Sequence, residues 1–190
     1  MTISPPPLFA ARQMYLRRGG TSLLLHAAPE GLPEVLHWGT DLGPLTPGEL
    51  AAWARASVGG VVSSSPDVPP RLSLVPSQAE GWTGTPGLAG TRGGVAQFSA
   101  FQTTAVDVLA TEGADGAASH VRIGAHDQEA DLDLELEIEV AASGLLRTRA
   151  TLTNRGTDAY GVDSLLLALP TPASETLVVD QSGHHLRERE

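Results

Sequence analysis

The sequence predicts an all-β protein, a large antiparallel β-sandwich (a supersandwich) with one short helix near 47–56. Three observations predict it. Residues 131–140 read Asp-Leu-Asp-Leu-Glu-Leu-Glu-Ile-Glu-Val, an unbroken alternation of five apolar side chains with five carboxylates. Period-two alternation of that length is a strand with one face in a core and the other in water. A complementary strand follows at once: Leu146, Thr148, Ala150 and Leu152 share one parity, Arg147 and Arg149 take the other, and Ser143-Gly144 supplies the turn. The pair reads as an antiparallel hairpin whose arginines face the carboxylate row across the strands. Around it lie many short strand-like runs separated by turn residues, with a single helical pattern, the arrangement of a sandwich.

Taken in order, Thr21 to Ala27 and Leu32 to Leu42 read as strands joined by a Pro29-Glu30-Gly31 turn. Thr46-Pro-Gly-Glu49 opens the helix: threonine at the N-cap, proline at the first helical position and Glu49 completing a capping box. Leu50, Trp53 and Ala54 share one face, with Trp53 as the anchor to the sheet, and Gly59-Gly60 stops the helix. Ser63 to Pro70 is loop, and Arg71 to Val75 alternates as a short strand ended by Pro76. Gly81 to Gly94, with six glycines, reads as a turn-rich loop. Phe98 to Ala110 is strand, Gly113 to Ala118 turn, and Val121 to Gly124 another short strand. Beyond the central hairpin, Asn154-Arg155-Gly156 is a turn and Tyr160 to Leu169 a strand with Leu165, Leu167 and Leu169 on one parity. A loop at 170–172 and the run Leu177 to Asp180 follow, and the last residues, 183–190, stop in mid-pattern as a segment cut from a longer chain would. No linker or internal repeat is visible, so 1–190 reads as a single domain.

Composition removes several function classes. The chain has no cysteine, which excludes disulfide and thiolate chemistry. All twelve basic residues are arginine, so neither a Walker-type phosphate loop nor a Schiff-base lysine exists here. A net charge of −10 argues against a nucleic-acid or anionic-membrane partner. No signal peptide or membrane-length apolar run is read, and a cytoplasmic location is the expectation. The six histidines show no metal-ligand spacing, and neither a Gly-x-Ser-x-Gly elbow nor a His-Glu-x-x-His motif occurs. No metal or cofactor is expected. The carboxylates of 131–139 lie on a solvated face, where no catalytic acid is made.

Two side chains remain as candidates for binding. Trp82, inside the glycine-rich loop, is a platform for a sugar, aromatic or cationic face, and Arg92 adds a donor fork nearby. Against that stands a tryptophan that plugs the end of the sandwich. Trp38 reads as core.

Three stretches carry a resemblance. Thr21-Ser-Leu-Leu-Leu with Leu36-His-Trp-Gly39 and Asp41-Leu42 resembles the opening strands of the microbial α-galactosidases of glycoside hydrolase family 36. The loop 81–94 is similar to one in the actinobacterial-type branch of that family. Leu152-Thr-Asn-Arg-Gly156, Leu165 to Pro170 and Gly183-His-His-Leu-Arg-Glu-Arg189 resemble the end of the same N-terminal domain. The resemblance implies a non-catalytic N-terminal supersandwich whose partner is its own (β/α)8 barrel, expected downstream and absent from this chain. That barrel would supply both aspartates of a retaining mechanism acting on α-galactosides. No catalytic residue is therefore assigned within 1–190. The resemblance further implies a homo-oligomer and a loop at the rim of the substrate pocket. In relatives that loop carries an acidic Gly-Thr-Gly-Asp-like motif; Gly84-Thr-Pro-Gly87 lacks the aspartate, leaving Trp82 and Arg92 as the local substrate-binding candidates. Two alternatives stay open: a free-standing carbohydrate-binding sandwich using Trp82, and a purely structural or oligomerising domain.

Overall fold

A computed structural model describes residues 12–27, 30–61, 63–64, 71–110 and 117–171. Among the described residues ten strands follow one another as β1 (Arg12–Arg18), β2 (Thr21–Ala27), β3 (Glu34–Thr40), β4 (Leu88–Arg92), β5 (Val95–Gln97), β6 (Gln102–Ala110), β7 (Ala118–Asp127), β8 (Leu132–Val140), β9 (Leu146–Asn154) and β10 (Tyr160–Leu165). The helix α1 (Pro47–Ala56) stands between β3 and β4. All pairings are antiparallel, in three sheets ordered β1-β2-β3, β6-β7-β8-β9 and β10-β4-β5.

The first two sheets stack, β1 meeting β7 and β8 while β2 meets β8. Between them lies the core. Leu132, Leu134, Leu136, Ile138 and Val140 of β8 are buried to the last few per cent, facing Met14, Leu16, Leu23 and Leu25 of the opposite sheet. Each such side chain contributes about 1.5–3 kcal/mol by leaving water. The alternation of 131–140 is thus the inner and outer face of one central strand. Its outer row pairs as expected: Glu137 opposes Arg149, and Glu139 opposes Arg147. The ion-pair distances of 4.0 and 3.8 Å are long and exposed, so these pairs add little to stability.

β2 departs from alternation because it is buried on both sides. Ser22 to Leu25 are all buried, and that is why its sequence reads as a continuous apolar run. Leu24 is fully buried yet stands outside the core cluster. The capping box forms as the sequence predicts: Glu49 N–H donates to Thr46 Oγ1, and Thr46 N–H to Glu49 Oε2 at 2.8 Å. Ala54 is the buried residue of α1, whereas Trp53 sits at the rim, 36% exposed, with its ring centroid 5.8 Å from that of His37. The helix ends at Ala56 with Ser57 as its cap, before the glycine pair.

Other expectations need correction. Arg71 to Val75 forms only an isolated bridge, Ser73 to Glu34, because the strap turns at Leu74. The 81–94 stretch is loop only in its first half; Leu88 to Arg92 is β4, turning at Gly93-Gly94 into β5. The short strand at 121–124 is the middle of ten-residue β7. Leu165, Leu167 and Leu169 do pack on the core, although β10 ends at Leu165, and Trp38 packs there too, its indole N–H donating to Pro170 O. The readings that fall on residues 1–11, 28–29, 65–70, 111–116 and 172–190 lie outside the described residues.

Candidate functional site

The glycine-rich stretch is positioned by a single turn of 3-10 helix, Gln78–Glu80. Ser77 caps it, its side chain accepting from Ala79 N–H, and Gly81 closes it in the left-handed region (φ 83°). Trp82 N–H then returns to Ser77 O. The indole folds back over its own loop: Nε1 donates to Thr85 O at 3.0 Å, and the ring lies so close over Gly84 that a Cβ there would meet it at 2.8–2.9 Å. Trp82 is half-buried, with its polar edge satisfied within the loop.

Arg92, at the end of β4, is occupied differently. Nη1 donates to Asp158 O (2.6 Å), and Nη2 to Ala130 O (2.5 Å) and Asn154 Oδ1 (2.9 Å). The guanidinium stands 5.7 Å from the Tyr160 ring centroid. Asn154 also accepts from Gly156 N–H and donates to Asp158 O, so the 154–158 turn and the β7–β8 turn are both tied to this one side chain. The partners of Trp82 and Arg92 are separate sets.

Two carboxylates elsewhere are spent on the backbone and on side-chain links. Asp127 is buried and accepts from the N–H groups of Ala100, Glu129 and Ala130 at 2.7–3.0 Å, which fixes the β7–β8 turn. Asp133 accepts from Arg155 at 2.5 Å and contacts His126 Nδ1 at 2.8 Å; first the Arg155 hydrogen bond and then that of His126 hold its carboxyl below the usual range. Among the described residues no group of three metal-ligating side chains converges.

Sequence reasoning missed a polar cavity of about 280 Å³ between the turn at 30–34, the 71–80 strap and the start of β6. Glu34, Arg71, Ser73, Glu80 and Gln102 line it together with Phe101. Glu80 accepts from Leu32 N–H (3.1 Å) and Ser73 Oγ (2.7 Å); Gln102 Oε1 accepts from Gly31 N–H (3.0 Å). Arg71 Nε approaches Glu34 Oε2 to 2.9 Å, yet its N–H is not aimed at that oxygen, which is buried without a hydrogen bond. Burial pushes the Glu34 carboxyl up, Arg71 opposes the shift, and Glu80 adds to it. These residues come from segments far apart with no motif spacing, so nothing in the sequence marked them.

The fold and its surface define an antiparallel β-sandwich domain. The chain belongs to the glycosyl hydrolase family 36 N-terminal domain family, whose model matches residues 31–190. It is similar to an α-galactosidase of Escherichia coli, 29% identical over 155 residues that cover 82% of this chain and 20% of that protein. The chain thus spans about a fifth of that curated relative's length. Among solved structures, the family 36 α-galactosidase AgaA of Geobacillus stearothermophilus superposes with a TM-score of 0.60 at 16% identity, over 82% of this chain and 24% of that one. AgaB from the same organism gives 0.58 at 15%, over 88% and 24%.

Proposed function

We propose that this chain is the N-terminal domain of a longer retaining α-galactosidase that removes terminal α-galactosyl residues from oligosaccharides. The observation that carries this reading is the family match over 31–190. The E. coli relative, of which the chain covers only the 20% share, supports a catalytic (β/α)8 barrel lying beyond these residues. The domain's part is to support that barrel, to contribute to oligomer contacts and to border the substrate pocket. Trp82 is the side chain assigned to the pocket border, while Arg92, with its donors committed to three acceptors, holds the β4–β5 hairpin in place. Hydrolysis by retention needs two carboxyl groups about 5–5.5 Å apart, one of them kept protonated. Asp127 and Asp133 are engaged by backbone N–H groups, by Arg155 and by His126, and Glu34 lies against Arg71, which fits a chain that does not itself cleave the bond.

Turnover of an aryl α-galactoside tests this. The 190-residue chain alone gives none, and the chain continued through its downstream barrel gives saturable turnover. Cleavage by the isolated chain, or a continuation without a barrel carrying two strand-end aspartates, refutes the proposal.

A further inference from the structure

The cavity between the 30–34 turn, the 71–80 strap and β6 contains unspent hydrogen-bonding capacity of both kinds. We propose that it binds a neutral polyol of monosaccharide size, held by Glu34, Arg71 and Gln102 above an apolar floor. On the acceptor side, Glu34 Oε2 is buried and receives no hydrogen bond, although Arg71 Nε is 2.9 Å away. Its carboxyl is pushed up by burial, so the ionised oxygen gains from any donor brought to it. On the donor side, Arg71 uses Nη1 on Ala54 O and Gln102 uses Oε1 on Gly31 N–H. Neither Arg71 Nη2 nor Gln102 Nε2 meets an acceptor among the described residues.

The chemistry selects the ligand class. Glu30, Glu34 and Glu80 outnumber Arg71 on the lining, so an anion is repelled, while a cation meets the Arg71 guanidinium beside Glu34 and brings no acceptor for the Arg71 and Gln102 donors. A hydroxyl both donates and accepts, and a ring bearing several satisfies Glu34 and the two free donors together. Leu32 and Phe101 supply an apolar surface for the C–H face of such a ring. The volume, about 280 Å³, equals about nine waters at ~30 Å³ each, room for a six-carbon polyol. Glu80, with both oxygens engaged, acts as a fixed wall rather than a ligand-seeking group. The inference rests on the cavity alone and stands whether or not the parent enzyme is a galactosidase.

Calorimetric titration of the 190-residue chain with galactose and with myo-inositol tests it, each variant being checked for folding by circular dichroism. The expected result is one saturable site with Kd on the order of 1 mM. Glu34→Gln weakens it at least about tenfold, the loss of a charge-assisted hydrogen bond. Ala79→Trp, at an exposed position on the cavity's lining, abolishes it by filling the space, and decides the matter if Glu34→Gln does not fold. Arg149→Ala, on the solvated row of β9 and outside the cavity's lining, leaves it unchanged. Absence of saturable uptake, uptake that survives Ala79→Trp, uptake that disappears in Arg149→Ala, or preference for methylammonium or acetate over the polyols each overturns the proposal.

Discussion

Gly90 lies beneath the ring of Tyr160, and that contact explains why the middle of β4 carries no side chain. A Cβ at Gly90 would stand 2.6 Å from Tyr160 Oη and 2.6 Å from Gly161 O, far inside van der Waals contact. Gly90→Ala therefore pushes Tyr160 off the sheet and away from Arg92, and the expected cost is about 1–3 kcal/mol, read as a lower urea midpoint. Asp41 carries a different kind of residue-scale constraint. Arg17 grips it with two hydrogen bonds of 2.7 Å, chief among the causes that hold its carboxyl below the usual range, with Gly43 N–H adding a third. A depressed native pKa means that the unfolded chain binds the proton more readily at low pH. The stabilisation is therefore present above the ordinary carboxylate pKa of about 4 and is lost as pH falls through the native value. Urea midpoints followed downward from pH ~6 are expected to fall less steeply for Asp41→Asn than for the parent. Equal slopes would remove Asp41 from the acid response.

At the scale of elements, β8 was fully legible and β4 was not. Strict alternation has one physical meaning, and the burial of Leu132 through Val140 follows it residue by residue. The two faces of the β8–β9 hairpin differ sharply in consequence. Leu136→Ala, which removes a buried side chain from the centre of the sandwich, is expected to cost about 2–5 kcal/mol, whereas Arg149→Ala, on the solvated row, costs under about 1 kcal/mol. Thermal melts of the two variants check the contrast. β4 hid because two of the glycines at it have tertiary causes, Gly87 where Val75 approaches to 2.5 Å of a would-be Cβ and Gly90 under Tyr160, while Gly93 serves the left-handed hairpin turn. Composition alone reads such a run as loop. Helix α1 was legible from its cap chemistry, and the removal of Thr46 Oγ1 in Thr46→Ala is expected to cost about 0.5–2 kcal/mol in the same melts. The polar cavity left no trace in the sequence because Glu34, Arg71, Glu80 and Gln102 meet only through the pairing of distant segments. Trp82 and Arg92 could be singled out as residue types, but not the partners that occupy them.

For the molecule as a whole, the two stacked sheets are joined at one end by backbone as well as by the core. The β1–β2 turn at Gly19-Gly20 and the β8–β9 turn at Gly144 abut. Both Gly19 (φ 58°) and Gly144 (φ 81°) are left-handed, and a Cβ on Gly144 would lie 2.6 Å from Gly19 O and 2.8 Å from Thr21 Oγ1. Gly144→Ala thus meets both a dihedral penalty and a collision with the opposite sheet. Its expected cost exceeds the ~1 kcal/mol of a left-handed alanine alone, and a melt no lower than that of Gly20→Ala, a neighbouring left-handed glycine with open space around it, would contradict the contact. Because each turn is the ceiling of the other, neither hairpin is free to vary alone. An extra residue in one loop has nowhere to go unless its counterpart retreats, so the lengths of these two turns are expected to drift together among relatives, a correlated signature between segments that share no strand pairing.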